Sequence, residues 1–330
     1  MHNTLPARRT AAARAHSNIA LIKYWGKRDA ALNIPAVGSI SVTLDALVTQ
    51  TTVSFRDDLA RDELVLSGEA ADTTRVGAFL DIVRERAGLG AHALVESGND
   101  FPTGAGLASS ASGFAALAVA ASAAAGLELD ERELSILARR GSGSAARSIF
   151  GGVVELHTGI RGDGVDSFAE PVLSPDDWPL SIVVAITELG EKSVNSTAGM
   201  GESSLTSPFY QAWVETAETD LAGMRSAIAA RDFGRVGELA EYSCLKLHAL
   251  MLSTRPALLY WNAATVAAIH AVRELRDGGT PVYFTIDAGP QLKALCLPEH
   301  AVQVADALGR VPGVRQTRTS ALGPGAQLLS

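Results

Sequence analysis

The sequence reads as a mixed fold of helix and strand, and three stretches carry that reading. Val48 to Phe55 alternates apolar and polar side chains, as a strand buried on one face does. Asn99 to Gly126 is a glycine-containing turn that runs into an almost unbroken series of Ala, Leu and Val, the composition of a buried helix. Pro208 to Asp277 carries aromatic residues and leucines at helical spacing in three blocks, Phe209 to Ala230, Phe233 to Leu252 and Ala257 to Asp277. At 330 residues the chain is long enough for two domains that share a cleft.

Composition narrows the classes. With 47% apolar and 19% charged residues the chain is an ordinary globular protein rather than a disordered one. A net charge of −8 argues against nucleic acid as a partner, so any anion must be held by lysines and arginines gathered locally. Cys244 and Cys296 are far apart and form no CxxC, which points to neither a disulfide framework nor a zinc site. The apolar run Phe114 to Ala125 is too short to span a bilayer, and no apolar region follows Arg8 and Arg9, so a cytoplasmic protein with no membrane partner is expected.

In chain order, residues 1–13 read as a disordered lead-in. Ala15 to Lys27 is an apolar, β-rich segment ending in Lys23, Tyr24, Trp25, Gly26 and Lys27. That ending is either a solvated strand end or a set of phosphate donors, two ammoniums and a phenol. Glu63 to Leu66 is expected to pair with the Val48 to Phe55 strand, and Thr73 to Ala87 has helical periodicity, with Arg75, Arg84 and Arg86 on it.

The stretch around which the chain is organised follows. Pro102, Gly104 and Gly106 lead to Ser109 and Ser110, where the helix should begin. Glycines before a helix N-terminus let several N–H groups point into one hollow at the positive end of the helix dipole, the arrangement that holds phosphate. There is no GxxxxGK[ST], and Ser109 breaks the GxGxxG spacing.

Asp130, with Glu133 at capping-box spacing, should open a helix over Glu131 to Arg140. Gly141 to Arg147 interleaves glycines and serines before an arginine. It is either a flexible surface turn or a loop presenting hydroxyls, N–H groups and one guanidinium to an anion, and the apolar Ile149 and Phe150 tie it to the core. Arg161 to Asp177 reads as a surface excursion, Leu180 to Ile186 as a buried strand, and Glu191 to Met200 as a polar loop with Lys192, Ser196 and Thr197. His248 and His270, inside helices, read as structural. A strand from Tyr283 runs into Asp287 and a Gly-Pro turn, where an aspartate by itself is best explained as a turn former. A helix, Glu299 to Gly309, and a strand, Val314 to Thr319, close the chain.

P-x-G-x-G-L-x-S-S resembles the ATP-binding loop of the GHMP kinases. NIALIKYWGKRD, SISVTL, FPTGAGLASSASGFAAL, ARRGSGSAARSIFGG, VNSTAGM and FTIDAGP, in this order, resemble the diphosphomevalonate decarboxylase branch, the bacterial type in particular. The resemblance implies an α+β GHMP kinase fold, with a ribosomal-S5-like N-terminal domain (14–190) and a ferredoxin-like C-terminal domain (191–330) around a cleft. It implies ATP on Pro102, Gly104, Ala105, Gly106, Leu107, Ala108, Ser109 and Ser110, with Mg2+ whose ligands stay open.

The same resemblance implies (R)-5-diphosphomevalonate as substrate, held by Tyr24, Trp25, Gly26, Lys27, Arg75, Ser142, Gly143, Ser144, Ala145, Ala146, Arg147, Ser196 and Thr197. Asp287, Arg147 and Lys23 become the catalytic set, with Arg147 on the carboxylate and Lys192 reaching the transferring phosphoryl group. A homodimer is implied as well. Asn195, Thr197 and Val37-Gly38 depart from the usual Ser, Arg and Asn-Ser. They keep phosphomevalonate decarboxylase and mevalonate 3-kinase as alternatives, and an inactive homologue sensing isoprenoid diphosphates as a non-enzyme alternative.

Overall fold

The computed structural model describes residues 9–101, 107–190 and 194–329. Strand β1 (Thr10–Ile22) leads through a small hairpin, β2 (Lys27–Asp29) and β3 (Ile34–Pro35), to β4 (Ser39–Arg56), which returns antiparallel to β1. Then come β5 (Glu63–Leu66), β6 (Glu69–Ala70), helix α1 (Thr74–Ala87) and β7 (His92–Asn99). Helices α2 (Ser109–Ala124) and α3 (Glu131–Gly141) and a 3-10 turn over Gly143–Ile149 precede β8 (Val153–Leu156) and β9 (Ala169–Leu173).

The second half runs β10 (Ser181–Ile186), α4 (Ser196–Thr206), α5 (Tyr210–Ala229), α6 (Phe233–Leu252) and α7 (Ala263–Asp277). It ends with β11 (Val282–Ile286), β12 (Leu292–Cys296), α8 (Ala301–Gly309), β13 (Gln316–Ala321) and β14 (Gln327–Leu329).

Among the described residues these strands make two main sheets. The larger has the order β14-β1-β4-β7-β5-β6, with β8 on β4 and β9 on β8; the smaller, antiparallel throughout, has the order β11-β12-β10-β13. Helix α2 covers the larger sheet. Its alanines 115, 116, 118, 120 and 121 are wholly buried, in one apolar cluster with Ala13 and Ala15 of β1, Val53 of β4, Leu80 of α1 and Leu137 of α3. Small side chains on nearly every face let neighbours approach the helix from several sides, and the start of α2 is thereby anchored to the core.

Several expectations change. Thr10 to Ala13 already pair with Thr51 to Ser54 of β4, so β1 begins inside the expected lead-in. Glu63 to Leu66 does not pair with Val48 to Phe55, because β7 occupies that edge of β4 and β5 lies parallel to β7 (Glu63 opposite Leu94). The third helical block begins at Ala263, where the Asn262 side chain accepts from the Thr265 N–H and Thr265 answers as a capping box. β10 sits in the smaller sheet, so the change of sheet falls between β9 and β10, ahead of residue 190.

Candidate active site

Lys23 follows the end of β1 and Asp287 the end of β11, and the two sheets bring them together. Lys23 Nζ donates to Asp287 Oδ1 at 2.6 Å and to the Ala20 carbonyl at 2.8 Å. The other carboxylate oxygen, Oδ2, takes Nζ of Lys293, on β12, at 3.2 Å. Both lysine side chains are 1% exposed, whereas that of Asp287 is 26% exposed and so opens to solvent. Burial pushes the Asp287 carboxyl up, but the two ammoniums outweigh it and hold the group well below the usual carboxylate range. Burial lowers the Lys293 ammonium in turn.

Beside this pair lies Arg147, in the 3-10 turn. Its Nε and NH2 donate to Asn18 Oδ1 at 3.1 and 2.9 Å, and its NH1 donates to Ser39 Oγ at 2.5 Å. Burial lowers its guanidinium to about 10, against the opposing pull of Asp287 and Tyr24. Asn18 also donates to the Ser144 carbonyl (3.0 Å) and to Ser148 Oγ (2.8 Å), so one amide fixes both Arg147 and the serine loop. Ser142 Oγ reaches Ser110 Oγ (3.5 Å) and Ser144 Oγ (3.3 Å), which joins that loop to the start of α2.

Tyr24 closes the group from the β1 side. Its hydroxyl is buried, lacks a hydrogen-bond partner among the described residues, and is pushed by burial to about 12, so it is a neutral donor. Gly143 permits this approach: a Cβ there would stand 2.5 Å from the Tyr24 hydroxyl oxygen. Gly26, with φ +93°, turns the chain back beneath Tyr210. Lys27 is lowered by burial and then by nearby Arg75. Arg75 stacks on Phe114 and donates to the Gly141 carbonyl at 3.0 Å. Among the described residues none of Lys27, Arg75 and Arg147 has a carboxylate within ion-pair distance. Three cations without counter-ions, Arg147 buried, Lys27 half-buried and Arg75 exposed at the rim, gathered in a chain of net charge −8, are a receptor for an anion.

The remaining site residues of the sequence reading fall into several groups. Trp25 is 2% exposed and belongs to an apolar cluster with Met200, Trp213 and Leu258; its carbonyl accepts from Trp213 Nε1. Ala145 and Ala146 are wholly buried against α2 and α3, while Leu107, Ala108, Ser109 and Ser110 stand at the start of α2, where Ala108 takes the left-handed conformation (φ 58°). Ser196 and Thr197 open α4, with Asn195 as its cap accepting from the Ala198 N–H at 2.9 Å. Asn195 therefore does a helix cap's work in place of the usual serine. Pro102, Gly104, Ala105, Gly106 and Lys192 lie outside the described residues.

Sequence reasoning missed Lys293, Asn18 and Ser39. Asn18 and Ser39 stand within or next to the quoted blocks, and the period-2 pattern of β12 gives no sign that Lys293 is buried. His248 stays structural: its Nε2 is 3.2 Å from Trp261 Nε1, and burial first, then Lys23, lowers it to about 3. Asp287 together with Lys23, Arg147 and the serine loop can orient a hydroxyl and hold a carboxylate close to the start of α2.

Two family models match the chain, the diphosphomevalonate decarboxylase-like N-terminal domain over residues 15–169 and the mevalonate 5-diphosphate decarboxylase C-terminal domain over residues 182–323. The human diphosphomevalonate decarboxylase is 38% identical over 320 residues, covering 90% of this chain and 79% of that protein. The phosphomevalonate decarboxylase of Haloferax volcanii is 36% identical over 302 residues, covering 90% of this chain and 91% of the other. A solved structure described as MDDEF in complex with MVAPP, AMPPCP and magnesium superposes with a TM-score of 0.91 at 42% identity, over 97% of this chain and 99% of that one. By the two models and by the extent of these matches, this chain belongs to the diphosphomevalonate decarboxylase family, with its GHMP kinase fold.

Proposed function

We propose that this protein catalyses the ATP-dependent decarboxylation of (R)-5-diphosphomevalonate to isopentenyl diphosphate, ADP, phosphate and CO2. The observation that carries the reading is the ion-paired Asp287 beside Arg147, which among the described residues has no carboxylate partner: a hydroxyl-orienting anion next to a carboxylate receptor. On this reading the cleft lies between the units carrying the two sheets, since Lys23 comes from one and Asp287 and Lys293 from the other.

The C3 hydroxyl of the substrate sits against Asp287, and its oxygen attacks the γ-phosphorus of ATP. The bond from that phosphorus to the leaving oxygen of ADP breaks, and the hydroxyl proton passes to Asp287 as the new P–O bond forms. The tertiary phosphate then departs with its electron pair. Positive charge builds at C3, and the electrons of the breaking bond to the carboxylate form the C=C bond as CO2 leaves. Arg147, with Ser142 and Ser144 beside it, holds the substrate's anionic groups clear of C3, and Lys27, Arg75 and Tyr24 extend that positive surface towards the diphosphate. Ser196 and Thr197 finish the pocket, Lys192 reaches the phosphoryl group in transfer, and residues 102–110 hold ATP.

Mg2+, when bound, neutralises charge on the phosphates. Among the described residues no three His, Cys, Asp or Glu side chains gather, and both Asp287 oxygens are engaged by lysines, so the ion fits as one carried on the nucleotide. The hydroxyls of Ser109 and Ser110, at the start of α2, would offer it oxygen donors of the right kind. We place the enzyme in the cytoplasm as a homodimer; light scattering after gel filtration tests the second point. Among the described residues no helix is long and apolar enough to cross a membrane.

The Haloferax relative keeps the monophosphate as the second reading. A coupled ADP-release assay with CO2 trapping, run on mevalonate, 5-phosphomevalonate and 5-diphosphomevalonate, decides. ADP and CO2 from the diphosphate alone are expected. Turnover confined to the monophosphate gives the second reading, ADP without CO2 makes the enzyme a kinase, and silence with all three leaves an isoprenoid-diphosphate sensor.

A further inference from the structure

Asp287 is balanced by one lysine, yet two are buried against it. Lys293 lies opposite Thr285 in the β11–β12 hairpin, between Leu292 and Ala294, neither of which is exposed. Burying an ammonium there is costly, and the carboxylate it meets among the described residues already has Lys23 on its other oxygen. Structural pairing would have been complete with Lys23 alone. The two lysines also come from different parts of the fold, Lys23 from the end of β1 and Lys293 from the strand next to β11. The carboxylate is thus gripped from both sides, with each oxygen held by its own cation.

We propose that Lys293 is a positioning residue for phosphoryl transfer, its ammonium clamping Asp287 Oδ2 so that the carboxylate keeps one rotamer and its negative charge while Oδ1 meets the substrate hydroxyl. This rests on the function proposed above. A carboxylate doubly paired in this way is a weak base, so it orients the hydroxyl through most of the step and takes its proton late. That suits a loose transfer, in which the attacking oxygen needs little early activation. Among the described residues the charged and titratable groups around Asp287 are Lys23 from the end of β1, Lys293 from β12, Arg147 from the 3-10 turn, and Cys244 and His248 from α6. Of these only the two lysines pair with it directly.

The test uses the full-length enzyme and the variants Lys293→Met, Lys293→Gln, Lys293→Arg, Asp287→Asn and Asp287→Asn/Lys293→Met. For Lys293→Met, kcat is expected to fall roughly 10- to 100-fold with KM for the diphosphate within about threefold, since the anionic anchors lie elsewhere. The acid limb of kcat should move up by about one pH unit or more, because Asp287 has lost a counter-ion, and Lys293→Arg should bring it back. The double variant should be no slower than Asp287→Asn alone, within about threefold.

An acid limb that stays in place, or losses that multiply in the double variant, would overturn the proposal and leave Lys293 a structural residue. Lys293→Gln carries the same comparisons if the methionine variant does not fold. If the parent enzyme turns over no mevalonate derivative, the functional reading fails by itself. The clamp is then judged on the acid flank of the curve of Tm against pH, which Lys293→Gln must shift upward and which, unshifted, sinks it.

Discussion

Replacing Asp287 by asparagine keeps the shape of the side chain and removes one charge, and its cost follows from the neighbours. Lys23 and Lys293 lie 2.6 and 3.2 Å from the carboxylate with side chains 1% exposed, so the variant leaves two buried ammoniums facing a neutral amide. Breaking a buried pair from one side costs about 3–5 kcal/mol. The 26% exposure of Asp287 and the ability of a lysine to shed its proton reduce that to about 2–4 kcal/mol.

The sign with pH follows from the depressed pKa of Asp287. Its contribution is fully present above the carboxyl's unfolded pKa of about 4 and is lost as pH falls below that towards the folded value. The stability gap between parent and variant, read from urea midpoints, should therefore be widest near neutrality and close in acid. Activity should fall further: losing the group that orients the attacking hydroxyl costs about 10²–10⁴ in kcat, with substrate KM nearly unchanged. Coupled ADP release and CO2 trapping must fall together. Turnover within tenfold of the parent in a folded variant would remove Asp287 from the chemistry.

Three other perturbations probe the surroundings. Arg147→Met should raise substrate KM by about 10²-fold or more and, by leaving Asn18 Oδ1 and Ser39 Oγ without their donor, lower stability by about 1–3 kcal/mol; an unchanged KM in steady-state kinetics would separate Arg147 from the substrate. His248 stays neutral down to about 3 while an unfolded histidine protonates near 6.5, so it lowers stability by about 1.4 kcal/mol per pH unit as acid is added across that window. His248→Gln should flatten the slope of urea stability against pH by one proton there, and an unaltered slope counts against a buried neutral imidazole. Gly143→Ala puts a methyl 2.5 Å from the Tyr24 hydroxyl oxygen, and should cost about 1–3 kcal/mol in a thermal melt and displace Tyr24 from the site, seen as a loss of kcat.

Much of this molecule is written locally. Asp130 and Glu133 make the capping box their spacing announces, α6 spans Phe233–Leu252 as the block of leucines and aromatics predicts, and α2 starts at Ser109 and is buried over most of its surface. Periodicity and cap chemistry act over a few residues, so one sequence suffices to read them. The motif blocks likewise pointed to Lys23, Arg147 and Asp287, which the fold brings into one neighbourhood. Pairing is another matter. Lys23 and Asp287 are 264 residues apart, and nothing near either says that they share a hydrogen bond. The order of the strands placed β7 between β4 and β5, set Asn18 as the hub of the serine loop and turned Lys293 inward. A lysine on a strand looks the same in sequence whether it faces water or a buried carboxylate. Only the packing of one sheet against the other, which decides what stands opposite each side chain, distinguishes the two.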